Sequence, residues 1–275
     1  MFNLKFKKLF GFLGLFALIF TTLSGQSFAK KHPTYASKTC NGQIQVVIHA
    51  SYGGGTDTTA RMMSIRTRRT LNTDIQIVGK RGGSGAKAQN YTLTRPKDGC
   101  TIMALTESHL YTMARGKSNM KISDLVGVAR AMEEPTFVVV NAKNKELSTV
   151  KKMIKRAQKK PISVAIASIG GTEHIGMYSY SKAANIPFKA VSFGSGAQSL
   201  QALASGKVEA SLLNPSEAAA LIADKKIKAI VLLHDKALAD YPKVKTSYSM
   251  GHKVKVVTTR GLSLIHISEP TRREG

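Results

Sequence analysis

The sequence predicts an α/β fold in which two lobes, each a parallel-rich sheet flanked by helices, face each other across a cleft. Three observations predict it. Short β-rich runs alternate with helical patterns, small-residue loops stand between strand and helix, and the whole series occurs twice along the chain.

The first series begins with a strand over residues 45–49, followed by the loop Ser51-Tyr52-Gly53-Gly54-Gly55-Thr56-Asp57 and a basic helix over 58–70. A second strand, 74–78, leads into Arg81-Gly82-Gly83-Ser84-Gly85-Ala86 and a helix through Leu93, and a third strand covers 101–105. The second series opens at Phe137. Ser148 is the expected N-cap of a helix that places Val150, Met153, Ile154 and Ala157 on one face, with Lys151, Lys152, Lys155 and Arg156 outside. Strands at 163–167, 190–193, 208–213 and 227–233 then alternate with helices from Thr172, through Ala204, and over 216–223.

The ends are read separately. Lys5, Lys7 and Lys8 precede the apolar run 9–20, and Ser27-Phe28-Ala29 supplies small residues, which is the pattern of a secretory signal peptide cleaved after Ala29. The run falls short of the roughly 20 residues that span a bilayer. At the other end, residues 262–272 (LSLIHISEPTR) are similar to the translation of a transposase adapter used to prepare sequencing libraries. That similarity implies a non-native tail over 262–275, no function for His266 or Glu269, an incomplete native chain, and poor packing from residue 262 onward. The expected organisation is a basic lead over 30–43, one lobe over 44–135, another over 136–233, and a return toward the first lobe over 234–261.

The 275 residues carry 41 Lys plus Arg against 16 Asp plus Glu. Removing residues 1–29 takes away three lysines and no acidic residue, leaving +22, so the mature chain is basic and expects an anionic partner. With 43% hydrophobic and 21% charged residues, disorder, collagen and coiled coil are excluded.

Catalytic motifs fail on inspection. Gly83-Ser84-Gly85-Ala86-Lys87-Ala88 fits a dinucleotide fingerprint, but the next acidic residue, Asp98, comes too early for a ribose contact. Arg115-Gly116-Lys117-Ser118 ends like a phosphate loop, yet Tyr111 stands where the first glycine is required. No G-x-S-x-G or H-E-x-x-H occurs, so neither metal nor cofactor is expected. Four loops repeat a different device, small residues at the carboxyl end of a strand immediately before a helix: 51–56, 106–108, 168–172 and 194–196. Glycine lets backbone approach a ligand, and the free amides of a helix start attract carboxylate or phosphate. A single such loop reads as a tight turn; four from two lobes read as an anion site.

These residues carry a resemblance. Gly53-Gly54-Gly55-Thr56-Asp57, Gly82-Gly83-Ser84-Gly85-Ala86, Asp98-Gly99-Cys100, Ser168-x-Gly170-Gly171-Thr172-x-His174, Phe193-Gly194-Ser195-Gly196 and Leu203-x-x-Gly206-x-Val208 stand in the order found in periplasmic solute-binding proteins of tripartite tricarboxylate transporters (Bug and TctC-like proteins). The resemblance implies a type II periplasmic binding fold that closes on a carboxylate-bearing solute and hands it to integral membrane subunits, as a monomer, without nucleic acid and without catalysis. Mapped by motif, the ligand set is Tyr52, Gly53, Gly54, Gly55, Asp57, Thr106, Ser108, Ser168, Gly170, Gly171, Thr172, Gly194, Ser195, Gly196 and Asn214. Asp57 reads first as a helix N-cap, because a carboxylate facing an anion repels it. His109 and His174 read as structural. Departures from the family pattern at Ser51-Tyr52, Lys80-Arg81 and Cys100 leave the solute open. If the first and third strands are neighbours, Cys40 and Cys100 meet at their amino ends in a disulfide, as an exported chain permits. Two other classes stay open: a secreted enzyme acting on an anionic small molecule, and a charge-driven binder of nucleic acid or anionic surfaces.

Overall fold

The computed structural model describes residues 38–265. The signal-peptide reading of 1–29, with cleavage after Ala29, and the positions His266 and Glu269 lie outside the described residues. The elements are β1 (Gln43–Ile48), α1 (Gly55–Thr70), β2 (Asp74–Gly79), α2 (Ala86–Leu93), β3 (Thr101–Thr106), α3 (Glu107–Ala114), β4 (Leu125–Asn141), α4 (Val150–Ala157), β5 (Ile162–Ile166), α5 (Thr172–Ala184), β6 (Phe188–Ser192), α6 (Gly196–Ala204), β7 (Ala210–Leu213), α7 (Pro215–Ala223), β8 (Ile227–Leu233) and β9 (Val257–Ile265).

The strands run in the order β2-β1-β3-β9-β4-β7-β5-β6, with β8 also on β4. β1 pairs in parallel with β2 and β3, while β9 is antiparallel to β3 and to β4. In the second series β5 is parallel to β6 and β7, and β4 is antiparallel to β7 and β8.

β4 belongs to both halves. Its first part, through Pro135, pairs with β9, and from Thr136 onward it pairs with β8. Proline has no amide hydrogen to give a ladder, so Pro135 fits the point where the strand exchanges partners. Beyond it the period-2 alternation buries both faces. Val138 and Val140 enter one apolar cluster with Ile162, Val164 and Met177, while Phe137 and Val139 enter another with Ala165, Leu203 and Leu213. A smaller cluster under α1 gathers Ile44, Val46, Ile48 and Ile75.

Several element boundaries differ from the sequence reading. Helix α1 starts at Gly55 and not at residue 58, because Asp57 sits inside its first turn. The α4 cap is Thr149, whose hydroxyl accepts from the Lys152 amide, while the Ser148 hydroxyl donates to Lys145 O. The amphipathic reading of α4 holds for most positions: Val150, Met153 and Ala157 are buried, Ile154 is half-buried, and Lys151, Lys152 and Lys155 are exposed, but Arg156 is largely covered and pairs with Glu209 at 2.6 Å. The expectation of poor packing from residue 262 fails for residues 262–265. They complete β9, opposite Ile102–Ala104 of β3, with Ser263 and Ile265 buried.

Cys40 and Cys100 form a disulfide with Cα atoms 5.3 Å apart. The pairing follows from the sheet order: β1 and β3 are parallel neighbours with Gln45 opposite Thr101, so the residues before them meet at the amino ends of both strands. The opposite, carboxyl ends are left to the loops.

Candidate functional site

The four loops converge as expected, and the two halves touch through them. The Ser51 amide and hydroxyl both donate to Gly194 O at 3.2 Å. The Ser108 hydroxyl lies 3.2 Å from Thr172 Oγ1 and accepts from the Thr172 amide at 3.2 Å, so a side chain from one half caps the α5 start in the other. Ser84 Oγ bonds Ile169 O. What remains between them is a small cavity of about 40 Å³, room for little more than a few waters. It is lined by Thr56, Ser108, Ser168, Thr172, Ser195 and other residues of both halves. Larger cavities open on either side. One of about 490 Å³ is lined by Arg81, residues 82–85, Ser168, Ile169 and Gly194, and another of about 630 Å³ by Met62, Met63, Met132 and Leu200.

Each nominated residue can now be placed. Thr106 caps α3 in a reciprocal box with His109. Ser195 caps α6, accepting from the Gln198 amide at 3.3 Å. Gly54 caps α1 and packs against Ser195, while Gly171 stands between the Ser168 and Ser108 hydroxyls. Gly53, Gly170 and Gly194 all have positive φ. At Gly170 a Cβ would meet the end of the Arg115 side chain and at Gly194 that of Arg81, exposed side chains that can move aside, so it is the positive φ of both positions that calls for glycine.

Three nominees do other work. Tyr52 is 58% exposed and turns away from the cavity, its hydroxyl accepting from the Gly79 amide at 2.8 Å with Arg61 over its ring. Asp57 is not the N-cap. From the third helical position its carboxylate reaches back to the Gly53 amide at 2.8 Å and pairs with Arg61. Asn214 caps α7 and holds Arg260, accepting from Nη2 at 2.9 Å while its own amide donates to Pro135 O and Thr258 Oγ1.

The residues missing from the sequence reading are charged. Arg260 on β9 has a side chain only 6% exposed, paired with Glu134 of β4 at 2.9 Å and Glu217 of α7 at 3.7 Å. Glu217 occupies the place that the loops were expected to hold open. A Cβ on Gly196 would overlap its carboxyl, a Cβ on Gly55 would lie 3.0 Å from its Oε1, and its Oε2 accepts from the Asn214 amide. The starts of α1, α6 and α7 thus surround one internal carboxyl, which burial raises above the ordinary carboxylate range while Arg260 and the Asn214 and Gly55 amides oppose that rise. The signal for Glu217 was legible, since Asn214-x-x-Glu217 is a capping-box spacing. Arg260 had no local signal.

Glu173, in the first turn of α5, lines the same cavity. Burial first, then the like charges of Glu217 and Glu107, lift its carboxyl to about 7 against the opposing pull of its own amide and Arg260. His49 also lines it, edge-on to His109 with ring centres 4.3 Å apart. Burial and the Arg260 charge push His49 down to about 4, so it is a neutral imidazole at neutral pH, and its Nδ1 has no hydrogen-bond partner among the described residues. Among the described residues no group of three or more His, Cys, Asp or Glu is placed to hold a metal ion, and none of the helices is long and apolar enough to cross a membrane. The arrangement offers hydroxyls, helix-start amides, one arginine and several carboxyls to a small solute.

Comparison with known proteins agrees with this architecture. The sequence model of the tripartite tricarboxylate transporter family receptor matches residues 59–267. Protein BugT of Bordetella pertussis is 22% identical over 242 residues, covering 85% of this chain and 72% of its own. Among solved structures, MatC from Rhodopseudomonas palustris with bound malate superposes with a TM-score of 0.75 at 22% identity, covering 83% of this chain and 79% of its own. A second R. palustris protein, with adipate, gives 0.76 at 21% identity over 82% of this chain and 77% of its own. The periplasmic binding protein BugD gives 0.76 at 18% identity, over 84% and 78%.

Proposed function

The chain belongs to the tripartite tricarboxylate transporter receptor family, and on that premise we propose that it captures a small carboxylate-bearing solute between its halves and delivers it to the membrane subunits of such a transporter. One observation carries the reading. Loops from both halves, each at the start of a helix, enclose a single spot where the amides and dipoles of several helices meet. Neither half surrounds that spot alone, so closure adds contacts that exist only when the halves come together. MatC and the second R. palustris protein carry malate and adipate, which sets the size of solute to try first.

In this reading the hydroxyls of Ser108, Ser168, Thr172 and Ser195, with the Ser195 and Gly196 amides and the Thr172 amide that Ser108 releases when the halves part, hold the solute. The 40 Å³ cavity is too small for it, so the solute enters with the halves apart and the adjoining cavity beside Arg81 receives its far end. The site of action is the periplasm, reached by export and removal of residues 1–29. The net positive charge raises the encounter rate with anions. No nucleic acid and no second copy of the chain enters this account.

A thermal-shift panel of di- and tricarboxylates, amino dicarboxylates and aromatic carboxylates tests it. A true ligand at 100 times its dissociation constant adds about 2.7 kcal/mol. A panel in which no carboxylate raises the melting temperature removes the reading.

A further inference from the structure

We propose that this receptor takes up a proton together with its carboxylate solute, and that Glu173, on the first turn of α5, is the group that receives it. The inference rests on the carboxylate reading above and concerns a residue that the sequence motifs leave unassigned.

The geometry of the closed cleft carries the argument. Glu173 lines the same small cavity as Ser108, Ser168 and Thr172, the residues proposed to hold the solute. Charged and titratable groups face it from every packed element: Glu107 from α3, Glu217 from α7, Arg260 from β9 and His49 from the end of β1, with Glu134 of β4 behind Arg260. The one cation in this set is already committed. Arg260 holds Glu134 and the Asn214 carbonyl at 2.9 Å and Glu217 at 3.7 Å. His49 adds no charge, since burial holds its imidazole down to about 4. The other cations near the loops, Arg81 beside Gly194 and Arg115 beside Gly170, are exposed to solvent, so at the Glu173 end of the cleft a solute carboxylate meets more carboxylates than cations, and like charges at contact disfavour the ionised form of whichever group can neutralise.

Glu173 is the group placed to do so. Among the described residues its side chain makes no ion pair, and its carboxyl already sits at about 7 without a ligand. Burial raises Glu217 as well, but Arg260 and the Asn214 and Gly55 amides oppose that rise with direct contacts to its carboxyl, so it is the better compensated of the two. When a proton from solvent joins the Glu173 carboxylate, its own repulsion of the solute ends, and the new O–H can donate to the solute carboxylate. No other bond is made or broken.

Titration calorimetry of the full chain with malate and with adipate, from about pH 7 to about pH 9, tests this directly. Both solutes are fully ionised there and His49 is neutral, so protons taken up report on the cleft. The expected result is a dissociation constant that rises about tenfold per pH unit, and a binding enthalpy that changes between two buffers of different ionisation enthalpy by the amount for about one proton. Glu173→Gln should bind with a pH-independent constant and no buffer dependence. A flat wild-type profile with buffer-independent enthalpy would overturn the proposal while leaving the carboxylate reading intact, and so would a Glu173→Gln chain that keeps the wild-type slope. If Glu173→Gln does not fold, the wild-type buffer dependence decides alone. Failure of both solutes at every pH overturns the carboxylate reading and this inference with it, as would binding of the diamine putrescine where both carboxylates fail.

Discussion

Arg260 Nη1 lies 2.9 Å from Glu134 Oε2, and this ion pair ties β9 to β4 one residue before Pro135, where β4 begins to pass from one sheet to the other. Glu134 also accepts from the amide and hydroxyl of Ser216 at the start of α7, so the pair links three elements of both halves. Removing one partner of a buried pair costs more than the pair contributes, because the survivor stays desolvated. Arg260→Met should therefore destabilise the protein by about 3–5 kcal/mol at neutral pH in urea unfolding. Adding Glu134→Gln should recover part of that loss, and strict additivity of the two changes would count against the coupling.

The Cys40–Cys100 bridge closes a loop with a sequence separation of 60. Replacing both cysteines by serine should lower stability by about 2–4 kcal/mol, with the fold retained by the β1–β3 pairing. Thiol titration of the unfolded, unreduced protein should find no reactive group. Two titratable thiols would reject the bridge.

Two groups lining the cleft give opposite pH slopes. The Glu173 carboxyl, at about 7 against an ordinary 4.5, binds a proton more readily in the native state, so its contribution is full below about pH 4.5 and is lost as pH rises to 7. Glu173→Gln should then stabilise by on the order of 2 kcal/mol at about pH 8 and change little at about pH 4. His49, pushed from 6.5 down to about 4, contributes stability above 6.5 that is lost as pH falls to 4. His49→Gln should shift the acid unfolding midpoint downward. Thermal unfolding across the pH range reads both, and a Glu173→Gln effect that is equal at both pH values would contradict the assignment.

The parts of this molecule visible in its sequence are those with local causes. β1, β5 and the apolar face of α4 follow from patterns within a few residues, and the strand-end loops follow from glycine beside serine or threonine. The first part of β4, residues 125–134, was not legible, because its residues are mostly exposed and include Gly127, Ala129 and Ala131. It is a strand because β9 pairs with it, from more than a hundred residues away. β9 was missed as well, its last residues having been read as foreign. In the site, the loop amides were foreseen and the charges between them were not. Nothing near Arg260 in sequence announces Glu134, Asn214 or Glu217 as partners, since they come from β4 and α7. Tyr52 shows the converse error, as motif position nominated a side chain that turns to Gly79.

The account stands or falls on whether a preorganised cleft, and not diffuse positive charge, holds a carboxylate. Titration calorimetry with malate and adipate on the wild type, Thr172→Val and Lys151→Glu is the most direct measurement. Thr172 is buried with its hydroxyl 3.2 Å from Ser108 Oγ, and valine keeps its shape, while Lys151 lies exposed on the outer face of α4. The expected result is one-to-one binding that survives high salt, weakened about tenfold by Thr172→Val and within about twofold of wild type in Lys151→Glu. Equal losses in the two variants, or binding that disappears with salt, would contradict it.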